Sequence, residues 1–547
     1  MQSFISRSIA KIKSNWQSGL TVSLVSIPLS VSLAVASNST PTAGIITAVW
    51  AGLMASLFGG SNYNIVGPTG ALSGILAAYA LTHGANALSM LAIVSAVFIL
   101  ISYAFKLERY LVFIPASTVH GFTLGVAFII GLNQMNFALG LSGLTKHPEF
   151  IKNVIESFSH IGQASLPTFG IFLLFVIGLF TLLKLTPKLP GAITLTPIGI
   201  LLGYLGTTGR LPFELKTLGM QYADIAPKII QPFHFFFDTS LLLPALTVAV
   251  VAILETMISA KIADGMTGTK YQPRKEMLGL GIANIVSGLA GGIPATAALA
   301  RTSLNVKTKA NDKMSATISS VCIALISFVF LTYFKYIPLA VVAAILVFVA
   351  VRMVEIVHFY RMFSFDKKSF TISVLVALVT IYEDPIVGIL FGTAVALLLF
   401  VEKLSKGQFE LIINNAEKQM TDHVVGEDID DENICKDCHT LVYSIKGQLA
   451  YVNAQAHISR FETKLNADFE NVVLRMRELF FIDLDGVDAF EEIVNLIESQ
   501  GKQVLLTGVN PLIEKSLEES KAFQRIRDTK RVFPHTREAL QKLGYSL

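Results

Sequence analysis

Long apolar runs separated by short polar connections fill most of the chain. Between residues 19 and 401, most runs are roughly 17–22 residues long, enough to cross a bilayer core about 30 Å thick. From Lys403 onward the pattern changes to the shorter alternation of a soluble domain. We therefore predict a cytoplasmic N-terminal segment over residues 1–18, a transmembrane domain over 19–407 and a soluble domain over 408–547. The fourteen predicted spans are 19–36, 43–58, 69–82, 88–105, 111–131, 168–184, 192–206, 241–262, 277–290, 296–308, 315–334, 337–351, 369–382 and 385–401.

The positions of Lys and Arg predict the orientation of these spans. Arg7, Lys11 and Lys13 precede the first span, and basic residues recur in every second connection. The opposite connections at 59–66 and 83–87 contain no Lys or Arg. Because positively charged connections stay on the cytoplasmic side, we expect both termini in the cytoplasm and the protein in the lipid of a bacterial inner membrane.

Composition agrees with an integral membrane protein. Hydrophobic residues make up 52% of the chain and charged residues 15%, whereas soluble domains carry about 25% charged residues. The net charge of +4 is too small to suggest a nucleic-acid partner. Cys435-Lys436-Asp437-Cys438-His439 has the spacing of haem c attachment, but a cytoplasmic placement favours a polar loop with two chance cysteines. We predict no cofactor and no metal.

Two apolar segments are short, and each begins at a Gly/Pro break. One follows Gly67-Pro68 and the other follows Gly291-Gly292-Ile293-Pro294. Each break comes at nearly the same distance after a distinctive mid-span residue, Pro28 in the first half and Glu255 in the second. Seven spans per half would invert the second copy, which predicts an all-α polytopic protein built as a seven-plus-seven inverted repeat with two half-helices. Interrupted segments at corresponding positions indicate a transporter binding site; the alternative is two ordinary prolines that kink their spans.

The two breaks predict an anion site. Proline suits the first turn of a helix, so we expect one helix to begin near Thr69 and another after Pro294. In an inverted pair these helix starts would face each other near the middle of the bilayer. Each offers unpaired N–H groups and a partial positive charge, which together bind anions. The predicted substrate-binding residues are Thr69, Gly70, Ala71, Thr296, Ala297, Ala298 and Arg301.

Two ionisable residues within the spans are candidates for function. Arg301, about two turns into the second half-helix, would add a full positive charge unless it extends to the cytoplasmic interface. Glu255 is the only acid between Asp238 and Asp264, and a buried carboxyl group can change protonation during a transport cycle. We therefore predict that Glu255 couples transport to protons. The alternatives are a sodium ligand, with Ser259 supplying a second oxygen one turn later, and a structural partner for Arg301.

The soluble part has the pattern of an α/β domain, in which strands alternate with helices and favour a mostly parallel sheet. No nucleophile arrangement or glycine-rich phosphate loop is present, so we predict regulation or assembly rather than an enzyme. The acidic segment 415–440 is predicted to be a mobile loop. The predicted strands are 440–445, 472–476 and 504–508, and the predicted helices are 454–465, 489–500 and 511–520.

These residues resemble the sulfate permease (SulP) family, the bacterial relatives of solute carrier family 26, over the whole chain. Gly67-Pro68-Thr69-Gly70-Ala71-Leu72-Ser73 is similar to the family's third-span motif, and residues 292–302 are similar to its tenth-span motif. Residues 263–269 and 279–284 resemble the loop and span that follow span eight. The C-terminal part resembles a STAS domain, with residues 481–486 at its Asp-Ser-Thr/Ser-Gly turn.

The resemblance implies a core and a gate domain, an elevator-like motion, a homodimer and an anion site between spans three and ten. It implies sulfate, bicarbonate, chloride or dicarboxylates as substrates, and Glu255 favours protons because members that use sodium tend to have Asp there. Two departures matter. Leu484 and Asp485 stand where related STAS domains carry a phosphorylatable serine, which argues against that switch. Leu29 and Leu33 stand in a first-span motif that often presents glutamine or an aromatic residue to the anion.

Four functions compete at this point. Proton-coupled symport of a small anion leads, and sodium-dependent bicarbonate transport differs from it by requiring sodium. A nucleobase symporter of the same fold is disfavoured by Arg301 and by the STAS-like domain. The fourth is a sensor or scaffold that binds a cytoplasmic partner through the STAS-like domain and transports little. The sequence does not identify which anion is carried.

Overall fold

The computed structural model describes residues 2–545 apart from short gaps, and the chain divides into two compact units, Met1–Ala396 and Leu397–Leu547. The gaps are residues 146, 148, 187–190, 223–224, 227, 234, 236–237, 384, 416–419, 427–437 and 465–468.

Across its described residues the first unit is helical apart from one pair of two-residue strands and short 3₁₀ turns. The strands are β1 (Val66–Gly67) and β2 (Thr296–Ala297). The helices are α1 (Gln2–Ala36), α2 (Pro41–Phe58), α3 (Gly70–His83), α4 (Ala87–Ala104), α5 (Ala116–Leu132), α6 (Met135–Leu139), α7 (Phe150–Ser159), α8 (Leu166–Leu185), α9 (Gly191–Thr207), α10 (Leu218–Gln221), α11 (Leu242–Thr267), α12 (Pro273–Leu289), α13 (Leu299–Lys307), α14 (Met314–Phe330), α15 (Leu339–Met353), α16 (Ile356–Phe365), α17 (Lys367–Tyr382) and α18 (Pro385–Ser405).

A helix overlaps each of the predicted spans. Nine helical segments in the described part of the chain are long and apolar enough to cross a membrane, as expected of a multi-pass membrane protein. Helices α3, α9, α12, α13 and α17 fall outside those nine segments. The two half-helices predicted from the Gly/Pro breaks, α3 and α13, are among these shorter helices, so the count of fourteen crossings stays a prediction.

Small residues let the helices of the first unit approach closely, as is common where membrane helices pack. A Cβ atom added at Gly279 of α12 would lie 2.5 Å from the backbone of Gly59 at the end of α2. A Cβ atom at Gly288 would lie 2.5 Å from the carbonyl oxygen of Ser89 in α4. Helix α12 is therefore held tightly between α2 and α4. The apolar cluster formed by these helices and α11 also contains Val66 and Ala297, so the strand pair is part of the core.

The second unit is a seven-stranded sheet covered by helices, as predicted for the soluble domain. Its strand order is β4-β3-β5-β6-β8-β9, with β7 paired to β5; the pairings within β5-β6-β8-β9 and between β5 and β7 are parallel. Strand β3 is antiparallel to both β4 and β5. The strands are β3 (Gln408–Asn415), β4 (Met420–Gly426), β5 (Cys438–Leu449), β6 (Asn471–Arg475), β7 (Leu479–Ile482), β8 (Gln503–Thr507) and β9 (Val532–Phe533). The helices are α19 (Ala454–Ser459), α20 (Leu484–Ser499), α21 (Pro511–Leu517), α22 (Lys521–Asp528) and α23 (Thr536–Lys542).

The three predicted strands are confirmed as β5, β6 and β8, and the predicted helices overlap α19, α20 and α21. The predicted mobile loop 415–440 is wrong in part, because residues 420–426 form strand β4, which pairs with β3. Polar residues Asp422 and His423 precede Val424 and Val425 there, and pairing with β3 satisfies their backbone groups. Residues 416–419 and 427–437, including Cys435, lie outside the described residues.

A polar cluster lies inside the core of the second unit. The Tyr443 hydroxyl is 2.7 Å from Nδ1 of His457, and Arg460 donates to the same hydroxyl at 3.4 Å. The Arg460 guanidinium also donates to the carbonyl of Lys406 and lies 4.4 Å from the centre of the Phe409 ring. Burial lowers the pKa of His457 to about 3, and the positive charge of Arg460 contributes a smaller part of this shift. His457 is therefore neutral at ordinary pH.

Candidate anion-binding site

The first break places a helix N-terminus directly after a short strand. Thr69 is the N-cap of α3, with extended backbone angles of φ −132° and ψ 157°, and the helix begins at Gly70. Pro68 favours this arrangement because it disfavours helix before it and suits a helix start after it. Within the described residues, the N–H groups of Gly70 and Ala71 have no hydrogen-bond partner, as expected for the first turn of a helix.

The second break differs from the prediction in where its helix starts. Residues Thr296 and Ala297 form β2, and α13 begins only at Leu299, with Ala298 as its N-cap. The N–H of Ala297 donates to Thr256 Oγ1 at 3.2 Å, and the N–H of Ala298 donates to the carbonyl of Ile65 at 3.2 Å. These two predicted anion donors are therefore already bonded.

The available backbone donors at the second break lie farther along the chain. Leu299, Ala300 and Arg301 are the first three residues of α13, and their N–H groups lack the carbonyl partners that later turns have. Because β2 pairs with β1 in an extended conformation, α13 begins later in the chain than the position of Pro294 alone predicted. Ala298 and Leu299 are half-buried and Ala300 is exposed, so this helix end is accessible.

The strand pair and helix α11 bring the two breaks to one place. Val66 is opposite Ala297 and Gly67 is opposite Thr296 in an antiparallel ladder. Helix α11 contacts both breaks. The Thr69 hydroxyl donates to Glu255 Oε2 at 3.0 Å, and the Thr296 hydroxyl donates to the carbonyl of Ala252 at 2.9 Å. The site residues predicted from two distant segments are therefore neighbours.

Arg301 joins the second half-helix to the first break. Its side chain is 2% exposed, and its Nη2 donates to the carbonyl of Pro68. Its Nη1 is buried and, among the described residues, has no hydrogen-bond partner. A Cβ atom at Gly67 would lie 2.8 Å from Nη1, so a glycine there lets the guanidinium approach the backbone. The guanidinium thus lies inside the protein, unlike the alternative in which it extends to the interface.

Glu255 and Ser259 lie one turn apart on α11. Glu255 is half-buried, and the structure contains no ion pair between it and Arg301 in the part of the chain that it describes. Ser259 Oγ is fully buried and has no hydrogen-bond partner within the same described residues. A carboxylate and an unpartnered hydroxyl on one face of a helix can together accept a proton or coordinate a small cation.

Two polar residues that the sequence analysis did not single out hold the breaks in place. Glu276 is buried in α12 and accepts hydrogen bonds from the N–H of Gly60 at 2.6 Å, the N–H of Ser61 at 2.7 Å and the Asn64 amide at 2.6 Å. Asn284 exchanges two hydrogen bonds with the backbone of Ala295, at 2.9 and 2.8 Å. For Asn284 the signal was a lone amide in an otherwise apolar span. Glu276 gave no such signal, because it precedes the predicted span 277–290 and follows Arg274 and Lys275.

Comparisons with known proteins agree on one family. A profile of the sulfate permease family matches residues 12–376, and a STAS domain profile matches residues 429–539. YvdB of Bacillus subtilis, a protein named as a candidate sulfate transporter, is 31% identical over 531 residues, which cover 95% of each chain.

Two solved structures share the fold. The murine solute carrier 26 family member A9 anion transporter, in its inward-facing state, has a TM-score of 0.81 at 14% identity over 98% of this chain and 92% of its own. The transmembrane domain of the cyanobacterial bicarbonate transporter BicA has a TM-score of 0.58 at 20% identity over 69% of this chain and 97% of its own. At these identities the likeness concerns the fold alone.

Proposed function

The chain belongs to the sulfate permease family, whose members are transporters and not enzymes, and from that premise we propose that it is a secondary active transporter of small anions of the sulfate, bicarbonate or dicarboxylate class. We propose that a proton drives the uptake by symport and that the motion is of the elevator type. The observation that carries this proposal is the convergence of two helix N-termini and Arg301 at the β1–β2 ladder.

The chemistry of this convergence favours an anion. Among the described residues the N–H groups of Gly70 and Ala71 have no hydrogen-bond acceptor, and the first turn of α13 offers a second set of donors. Each helix end adds a partial positive charge, and Arg301 adds a full one, with an Nη1 that has no hydrogen-bond partner in the part of the chain that the structure describes. Thr69 and Ala298 are the N-caps of the two helices that offer these donors. Thr296 and Ala297 act instead by holding the ladder.

Glu255 supports proton coupling through its hydrogen bond to Thr69. As a carboxylate, Glu255 accepts a hydrogen bond from the Thr69 hydroxyl and places a negative charge beside the anion site. When protonated it can donate to Thr69 instead, which releases that hydroxyl to donate to an anion and removes the repulsion. A bound proton therefore raises the affinity for the anion, and by reciprocity a bound anion raises the affinity for the proton. This mutual preference is the thermodynamic basis of symport.

A second candidate is sodium-dependent bicarbonate transport. The buried Ser259 Oγ, which has no hydrogen-bond partner among the described residues, favours it, because with Glu255 one turn away it offers two oxygen ligands for a hard cation. Similarity to proteins named bicarbonate transporters agrees with this anion. The two candidates differ in whether uptake requires sodium.

We further propose the architecture in which this site works. It comprises fourteen spans over residues 19–407, arranged as a seven-plus-seven inverted repeat with core and gate domains, in a homodimer in the bacterial inner membrane. Both termini lie in the cytoplasm. The STAS domain over 408–547 regulates or assembles the transporter and binds a cytoplasmic partner. The overlap of every predicted span with a helix supports this arrangement.

Uptake into proteoliposomes tests the function. Purified protein would be reconstituted and offered labelled sulfate, bicarbonate, fumarate and chloride, each with and without an inward proton gradient and with and without sodium. We expect one anion to accumulate in response to the proton gradient in sodium-free buffer, and empty liposomes to show no accumulation. Accumulation only with sodium would favour the second candidate. No uptake of any anion by folded protein would favour a sensor or scaffold.

A further inference from the structure

A cluster of two histidines and one glutamate lies apart from the anion site. Of the described residues, one group of three possible metal ligands comes close together: His120 from α5, and Glu355 and His358 from the start of α16. One ligand atom from each of the three lies within 4.8 Å of the other two. We propose that this cluster is a binding site for a first-row divalent transition metal ion, with Zn²⁺ the best fit.

The distances suit a shared ion. Nδ1 of His358 is 2.9 Å from Oε2 of Glu355, and Nδ1 of His120 is 3.6 Å from the same oxygen. In a tetrahedral zinc site with bonds near 2.0–2.1 Å, neighbouring ligand atoms are about 3.3–3.4 Å apart. The two observed distances bracket that value, and the ligand atoms of the two histidines lie within 4.8 Å of each other. An ion could therefore enter once the two imidazoles draw together around it.

The two imidazole rings are arranged as a pair. They stack with centroids 4.9 Å apart and planes inclined by 23°, and both direct Nδ1 toward one carboxylate. Two imidazolium ions in this position would repel each other. Two neutral imidazoles can bind one cation through the in-plane lone pairs of their Nδ1 atoms when the rings turn so that both lone pairs point at the ion. Two histidines and one glutamate form a known zinc ligand set, and imidazole also suits Co²⁺ and Ni²⁺.

The surrounding helices hold the ligands in place. Ser373 Oγ of α17 lies 2.8 Å from the carbonyl of Ser117, one turn before His120. The same oxygen is 3.6 Å from Sδ of Met362, one turn after His358. Helix α17 therefore fixes α5 and α16 relative to each other, which reduces the cost of ordering the site when an ion binds.

The cluster is open on one side, so the ion would exchange with solvent. The His120 side chain is 18% exposed, that of Glu355 29% and that of His358 55%. Three protein ligands leave a fourth position for water, as in zinc sites that are not purely structural. A bound ion would link α5 to α16 in a way that depends on the metal concentration.

Metal binding to the full-length, tag-free protein in detergent tests the proposal. The parent for this experiment carries Cys435→Ser and Cys438→Ser, because those thiols would compete for the same ions. Zn²⁺ binding would be measured by calorimetry and Co²⁺ binding by visible absorption. We expect one ion per chain and a four-coordinate Co²⁺ spectrum. His120→Asn and His358→Asn should each weaken binding by at least about tenfold.

His160→Asn is the matched control. His160 lies 3.8 Å from Glu156 in a histidine–glutamate pair that is not part of a three-ligand group among the described residues, so this variant should bind like the parent. Equal binding by all variants, or no saturable binding by the parent, would overturn the proposal and leave a simple hydrogen-bonded cluster. If the His→Asn variants misfold, a measurement on the parent alone still tests the proposal. Zn²⁺ should protect His358 of the parent, but not His160, from acylation by diethyl pyrocarbonate.

Discussion

At the scale of single residues, Glu255 is where the proton and the anion would meet, because its carboxylate accepts a hydrogen bond from Thr69, the N-cap of α3. We expect Glu255→Gln to abolish proton-driven accumulation while anion exchange across the membrane persists. The glutamine keeps the size and can still accept from Thr69, but it cannot gain or lose a proton. Uptake with and without a pH gradient, beside counterflow of labelled anion, measures both properties. The same dependence on the pH gradient as in the unmodified protein would refute the role of Glu255.

His457 provides a prediction for the second unit. Because its pKa in the folded state is lowered from 6.5 to about 3, the folded unit keeps it neutral where the unfolded chain would bind a proton. Its contribution to stability is complete above about pH 6.5 and is lost as the pH falls toward 3, by about 1.4 kcal/mol per pH unit. Between pH 7 and about pH 4.5 we expect a loss of about 2–3 kcal/mol from this residue.

Urea denaturation of a fragment spanning residues 405–547 at several pH values measures this loss. His457→Gln, which titrates nowhere in the range, is the control that separates His457 from the carboxyl groups of the same unit. The stability of the variant should depend less steeply on pH than that of the unmodified fragment. Parallel curves for the two would contradict the assignment.

At the scale of secondary structure, the breaks show what a pattern of residues can predict. Pro68 and its neighbours indicated a helix start near Thr69, and the helix begins at Gly70 with Thr69 as its N-cap, because proline acts on the residues beside it. The second helix starts at Leu299 because β2 first pairs with β1, more than two hundred residues away in the chain. Rules that consider only neighbouring residues cannot predict that pairing. The pattern gave β5, β6 and β8, which contain continuous apolar runs, but not the interior strand β3, the edge strands β4 and β9 or the short strand β7.

Glu276 is predicted to maintain the segment before β1. Glu276→Gln replaces one acceptor oxygen with an NH₂ group, so it should lose hydrogen bonds from Gly60 and Ser61 or from Asn64. Hydrogen bonds to a charged partner contribute about 1.5–3 kcal/mol each, and we expect a lower melting temperature together with weaker anion binding. Glu214→Gln, at an exposed position, is the control. A variant with unchanged melting temperature and affinity would show that this network does not support the site.

At the scale of the whole molecule, both breaks and all the predicted site residues lie in the first unit. We therefore expect a chain that ends after Lys406 to fold in detergent and to bind anion within about 0.5 kcal/mol of the full chain, roughly twofold in affinity. Its transport rate or oligomeric state should change, because the STAS domain is proposed to regulate or assemble the transporter. Loss of anion binding in a monodisperse truncated protein would contradict a purely regulatory role.

The composition and apolar runs were enough to identify a membrane domain followed by an α/β domain, since both follow from local hydrophobicity. The substrate could not be identified in the same way. Backbone N–H groups bind it in this account, and any sequence that forms the two helix starts offers the same donors. The identity of the anion depends on the size and charge of the space between them, to which Arg301 adds the one full positive charge of the predicted site.

The most direct test of the central claim, that two helix starts hold the anion and Arg301 assists them, is anion affinity in two variants of the full-length protein. Arg301→Ala should weaken binding by about 1–3 kcal/mol, roughly 5- to 150-fold. The loss should be larger for sulfate than for bicarbonate, because Coulomb energy scales with the product of the charges. Ala298→Phe, at the N-cap of α13, should weaken binding more, since the ring would cover the N–H groups of the first turn. Both variants must first be shown to be folded. Normal binding by Ala298→Phe together with no binding by Arg301→Ala would contradict the account and assign the site to the arginine.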